Sequence, residues 1–163
     1  MSTRGVVYVH SSPSAVGPHV EWALSSVLDA RVVLNWSAQD AAPGTVRAEC
    51  TWVGPTGTAA RLATALRAWG MVRFEITEDP SPGTDGERFS HVPGLGLWHG
   101  RTSANGDIVL GEDQVRTALA GAGTREALTR RLDDLLGTRW DAALEEFRYA
   151  GDGAASARLH QVG

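Results

Sequence analysis

Residues 45–53 alternate without a break. Val46, Ala48, Cys50 and Trp52 are apolar, whereas Arg47, Glu49 and Thr51 between them are polar. A period of two puts each set on one face of a β-strand and asks for cover on the apolar face only. Residues 71–77 repeat the pattern, with Val72, Phe74 and Ile76 on one side and Arg73 and Glu75 on the other. Strands of this kind need helices or a second sheet against their apolar face. Two segments with helical spacing supply that cover. In the first, Val20, Ala23, Leu24, Val27 and Leu28 recur at i, i+3, i+4, i+7 and i+8. In the second, Ala59, Leu62, Leu66 and Trp69 form the inner stripe, and Gly70 stops the helix.

Residues 4–10 and 31–37 are β-branched and aromatic and read as two further strands. The order over residues 4–78 is therefore β-α-β-β-α-β, the split βαβ or ferredoxin-like arrangement of an α+β chain. In that arrangement Arg47, Glu49, Arg73 and Glu75 lie on the open sheet face, where mixed charge suits a homodimer unless the C-terminal helices cover it.

After Glu78 the chain changes character. Residues 79–89 read DPSPGTDGERF, a turn-rich loop. Strands are expected at 89–92, 95–101 and 108–110, the last two joined through Asn105-Gly106, a strong hairpin signal. Three helices follow the short β-meander, at 112–120 and after Thr124 and Thr138, which are the expected N-caps. Their inner stripes are Leu128, Leu132, Leu135 and Leu136, then Trp140, Ala143, Leu144 and Phe147. Residues 1–78 thus form the core, and residues 79–163 a hairpin and helical elaboration packed with it as one unit.

All fifteen cations of this 163-residue chain are Arg, against nineteen acidic residues, a net charge of −4. Without Lys there is no Schiff-base chemistry, no lysine general base and no Walker-type phosphate loop. Ile is confined to positions 76 and 108 and Asn to 35 and 105, so the missing Lys reads as the mark of a high-GC bacterial genome. The lone Cys50 excludes an intrachain disulfide, and its apolar neighbours make it a core residue. No apolar run reaches the roughly 18 residues of a membrane span, and the N-terminus lacks a signal-peptide pattern. A cytoplasmic protein is expected, with no membrane partner. The acidic balance and the absence of an aromatic RNP pattern argue against nucleic acid.

Candidate chemistry is sparse. Gly94, Gly96 and Gly100 form GxGxxxG with no helix behind it, so no dinucleotide site is assigned. The five His are scattered and no metal or other cofactor is assigned. His10, Ser11 and Ser12 end the first strand, His19 follows on the helix, and Asp85 and Glu87 lie in the long loop. Together they make a candidate ligand pocket, but no carboxylate is placed to orient a His and no nucleophile elbow exists, so no catalytic residue is named. Arg88, Trp98 and Arg101 in the loop–hairpin region 79–107 form the candidate interface, since exposed Trp and Arg favour protein contacts. The expected function is a binding or regulatory module that contacts a protein partner. The alternative is a small-molecule-binding protein or enzyme using the His10–Ser12 region and the 79–91 loop.

Three stretches, RGVVYVHSSPSAVGPHVEWAL, RFEITEDPSPGTDGERF and VPGLGLWHGRTSANGDIVLGEDQ, together resemble an actinobacterial family of uncharacterised proteins, a domain of unknown function. The resemblance spans nearly the whole chain and agrees with the high-GC composition. It carries no activity and no catalytic residue. It implies genes lying near those of type II fatty-acid synthase, and hence a fatty-acid synthesis component as the partner, with Arg88 and Arg101 as contacts to an acidic protein.

Overall fold

The computed structural model describes residues 1–149. Among these, seven strands form one antiparallel sheet, accompanied by five α-helices. Strand β1 (Ser2–Pro13) is followed by a 3-10 turn (Ser14–Val16) and helix α1 (Gly17–Leu28). Then come β2 (Ser37–Ala38), β3 (Thr45–Pro55), α2 (Thr58–Leu66) and β4 (Arg73–Glu78). The second half adds β5 (Gly86–Val92), β6 (Gly96–Thr102) and β7 (Ile108–Val109). Helices α3 (Glu112–Gly121), α4 (Arg125–Leu136) and α5 (Thr138–Tyr149) follow. The strand order is β2-β3-β1-β4-β5-β6-β7.

β1 is the central strand of the first half, paired with β3 on one side and β4 on the other. It runs through the serines expected to end it. Ser12 still pairs with Val46 and Ser11 with Arg73, after a register shift that follows Val9. The bulge bends the strand without breaking the ladder. Gly5 is obligatory there, because a Cβ would overlap the Thr77 carbonyl and the Trp52 ring. The second expected strand shrinks from 31–37 to Ser37–Ala38, at the sheet edge. Residues 31–36 pack by side chain instead. Leu34 joins the core, and the Trp36 ring sits against Gly17 with its Nε1 donating to Glu21 Oε1 at 2.7 Å.

The main core lies between one sheet face and the first two helices. Val7, Val9, Phe74, Ile76 and Phe89 meet Val20 and Leu24 of α1 and Leu62 and Leu66 of α2. On the opposite side, Val92 and Trp98 pack with Trp140 and Leu144 of α5. The sheet face expected to be open is therefore covered in part, by α5 over β1 and β5; on β3, Glu49, Thr51 and Val53 stay exposed. Glu75, expected on a solvated face, has no exposed surface. Cys50 is half-buried at the edge of the main core, and burial pushes its thiol pKa up.

The C-terminal helices depart from expectation at α4. None of its residues is fully buried; it packs between α3 and α5 and touches the sheet at β6, where Trp98 Nε1 donates to Asp134 O. Thr124 caps it as expected, its Oγ1 accepting from Ala127 N–H at 3.1 Å. Thr138 is not the cap of α5. Its hydroxyl turns back to Asp133, and the chain reverses through Gly137 at φ 75°.

β4 also holds the start of α2. Glu78, expected in a solvated turn, is buried. Its Oε1 accepts from Gly57 N–H at 2.9 Å and its Oε2 from Ala59 N–H at 3.0 Å. A strand carboxylate thereby satisfies N–H groups that the helix leaves unpaired, at the end where negative charge is favoured. Glu78→Ala is expected to cost about 1–3 kcal/mol in urea unfolding. Asp79→Ala, which removes only the exposed Arg4 pair at 3.1 Å, is expected to change stability by less than about 0.5 kcal/mol.

Candidate functional site

The six residues of the expected pocket do not surround one concavity. His10, Ser11 and Ser12 are buried beside the bulge of β1. Ser11 Oγ accepts from an Arg73 guanidinium N–H at 3.2 Å, and Ser12 Oγ donates to Pro13 O at 3.0 Å. His10 Nε2 meets Glu75 Oε1 at 2.8 Å. Glu87 pairs in register with Glu78, three positions along β4 from Glu75. An odd offset along a strand means opposite faces, so His10 and Glu87 are separated by the sheet. Asp85 is exposed in the loop before β5. His19 is exposed on α1, its ring tilted against Trp69 with centroids 4.8 Å apart.

The same parity divides the expected interface. Arg88 pairs with Gly100 and Ser90 with Trp98, on the α5 side; Arg101 pairs with Glu87, on the other. Trp98 is only 8% exposed, and its Nε1 donates to Asp134 O at 3.0 Å under the C-terminal helices. Arg88 is half-buried, with a buried Nε that has no protein partner. Of the three, only Arg101 is exposed.

The residue that sequence patterning misplaced most is Glu75. It accepts from His10 Nε2, from Arg148 Nε and a second Arg148 N–H, each at 2.8 Å, and from Ser90 Oγ at 3.4 Å. Arg148 further donates to Asp141 Oδ1 at 2.8 Å and to Glu145 Oε2 at 3.4 Å. Burial alone pushes the Glu75 carboxyl up, but the hydrogen bonds and charges of His10 and Arg148 outweigh it and hold it far below the ordinary carboxylate range. Burial likewise disfavours the Arg148 cation, and Glu75 and Asp141 reverse that, raising its pKa further. Gln39 ties in the backbone, its Nε2 donating to His10 O at 2.6 Å and Phe147 O at 3.2 Å. Arg73 lies 4.3 Å over the Phe147 ring. With its oxygens filled by donors, Glu75 clamps α5 to the sheet. The signal for this was an acidic residue at a strand position matched by a lone Arg late in the last helix, a pairing that only folding reveals.

On the other face, Glu87 and Arg101 have a neighbour that the candidate pocket omitted. Phe89 pairs with His99, whose ring stacks on it at 4.5 Å and 11°. His99 Nε2 lies 3.6 Å from Glu87 Oε1. His99 and Arg101 line a recess of about 470 Å³ that also takes in Val109, Leu110, Asp113 and Leu135. Period-two reading of residues 86–102 across a tight turn puts Glu87, His99 and Arg101 on one face. His91, by contrast, is buried, stacked on Phe74 at 5.1 Å and donating from Nδ1 to Val72 O at 2.7 Å.

The outer end of the α1–α2 layer is aromatic. Trp22 is 71% exposed and Met71 70%, while Trp36, Trp52, Trp69, Trp98 and Trp140 are buried or half-buried. His19, one helical turn before Trp22, holds Trp69. An Arg61 N–H reaches Val27 O at 3.4 Å, so α1 and α2 run antiparallel as neighbours. Among the described residues, no three His, Cys, Asp or Glu are grouped to hold a metal, and no helix is long and apolar enough to cross a membrane.

The clamp has a pH signature. Glu75 binds its proton more weakly in the folded than in the unfolded chain, so its stabilisation is full above about pH 4.5 and is lost as pH falls below that. Arg148→Met leaves the carboxylate buried with half its donors gone and is expected to cost about 3–5 kcal/mol at pH 7. Urea unfolding followed by Trp fluorescence between pH 3 and 8 checks both. The variant's deficit should shrink toward the acid end, and Glu75→Gln combined with Arg148→Met should recover part of it.

No curated protein and no solved structure matches the chain. Residues 6–161 match the family described as "Protein of unknown function (DUF3145)", and the chain belongs to that family.

Proposed function

We propose that the protein is a binding module that contacts a protein partner through the aromatic end of its α1–α2 layer. The exposure of Trp22 carries this reading. A large indole left in water one helical turn from the exposed His19 is the composition of an interface centre. Arg67, exposed and without an ion pair among the described residues, ends α2 at the side where His19 meets Trp69 and adds a cation there. The loop–hairpin region lies outside this patch, and its Trp98 is committed to the helices behind it. The strand order β4-β1-β3-β2 supports reading the platform as a split βαβ, ferredoxin-like unit, with β5–β7 added at its β4 edge. The partner implied by the family resemblance is a cytoplasmic fatty-acid synthesis component. A homodimer through the same patch is the competing outcome.

Trp22→Ala is the decisive variant, because an exposed side chain contributes little to the fold. Thermal unfolding should stay within a few degrees of wild type. Co-purification from the native cell, quantified by mass spectrometry, should lose the specific partner by about tenfold or more. Equal recovery by wild type and variant refutes the reading, and light scattering that shows a dimer lost in the variant assigns the patch to self-association.

A further inference from the structure

We propose that the recess between β6, β7 and the start of α3 binds a small monocarboxylate. Arg101 takes the carboxylate, His99 stands beside it, and Val109, Leu110 and Leu135 receive the apolar body. This site is independent of the protein-contact patch.

The recess has the volume of a small-molecule site, about 470 Å³, and its lining combines His99, Arg101 and Gln114 with Val109, Leu110 and Leu135. Arg101 is its free cation. It is exposed, faces Glu87 in register, and makes no ion pair among the described residues. Its planar fork matches a carboxylate with two parallel hydrogen bonds. His99 is pre-positioned by its stack on Phe89 and by Glu87 beside Nε2, which leaves Nδ1 as the ring nitrogen for a ligand. Gln114 spends its Oε1 on Gly111 N–H at 2.9 Å, so its amide N–H groups remain as donors at the recess.

The acids of the lining set the charge of the ligand. Glu112 is neutralised by Arg116 at 2.7 Å, but Asp113 has no such partner among the described residues. A phosphate dianion would meet one guanidinium and the charges of Asp113 and Glu87. A monoanion balances Arg101 alone. The aliphatic side chains then favour a branched carbon skeleton over a small hydrophilic acid.

The full chain, labelled for observation of its histidine ring protons, tests the site by NMR with isovalerate, isovaleramide and inorganic phosphate as probes. Isovalerate should move the His99 resonances saturably, and isovaleramide should not. Arg101→Gln should weaken the isovalerate response at least tenfold while the backbone amide spectrum stays folded. Arg101→Lys should restore part of it. The proposal is overturned if no probe moves His99 saturably, if the amide acts like the acid, if phosphate binds more tightly than isovalerate, or if Arg101→Gln leaves the response unchanged.

Discussion

Two carboxylates on one strand hold the three layers together. Glu75 and Glu78 stand three positions apart on β4 and so point to opposite sides of the sheet. Glu78 receives the first N–H groups of α2, and Glu75 receives the Arg148 guanidinium of α5. Neither is a surface charge. Each is desolvated, and each is compensated by donors from the helix on its side, which is the condition under which a buried charge is tolerated. Alanine at either position would leave those donors unpaired in the interior.

That double anchoring explains where the protein has surface to spare. α5 occupies the β1–β5 part of the sheet face that a bare four-stranded platform leaves open, while the β3 part keeps Glu49, Thr51 and Val53 exposed. Two further outward regions are the far side of α1 and α2, with Trp22, and the β5–β6–β7 end, with Arg101 and His99. The two lie on different parts of the molecule. One is aromatic with an adjoining cation and suits a protein; the other is a recess sized for a small molecule.

The strong parts of the fold were legible because they are local. Alternation at 45–53 and 71–77, the apolar stripes of α1 and α2, the Thr124 cap and the C-terminal helices all arise from neighbours in sequence. Errors came where long-range pairing overruled local chemistry. The serines of β1 favour a turn, yet β4 pairs with it as far as Ser11 and β3 carries it on to Pro13. Residues 31–36 have strand composition, yet at the sheet edge their side chains found α1 and Trp36 found Glu21. Glu87 and His10 looked like pocket partners, and one register pair, Glu78 with Glu87, separates them.

The sequence by itself determined the element types, the apolar faces, the all-Arg cation set and the chemistries it excludes. Those properties depend on residue identity and short-range periodicity. Only the tertiary structure decided which charges are buried and which aromatic side chains are free. Glu75 and Glu49 read identically as outward strand residues, and Trp98 and Arg101 identically as candidate contacts. Their fates differ because α5 lands on one side of the sheet and Arg148 reaches Glu75 across 73 residues of chain. Desolvation is a property of what arrives from elsewhere, and no local pattern encodes it.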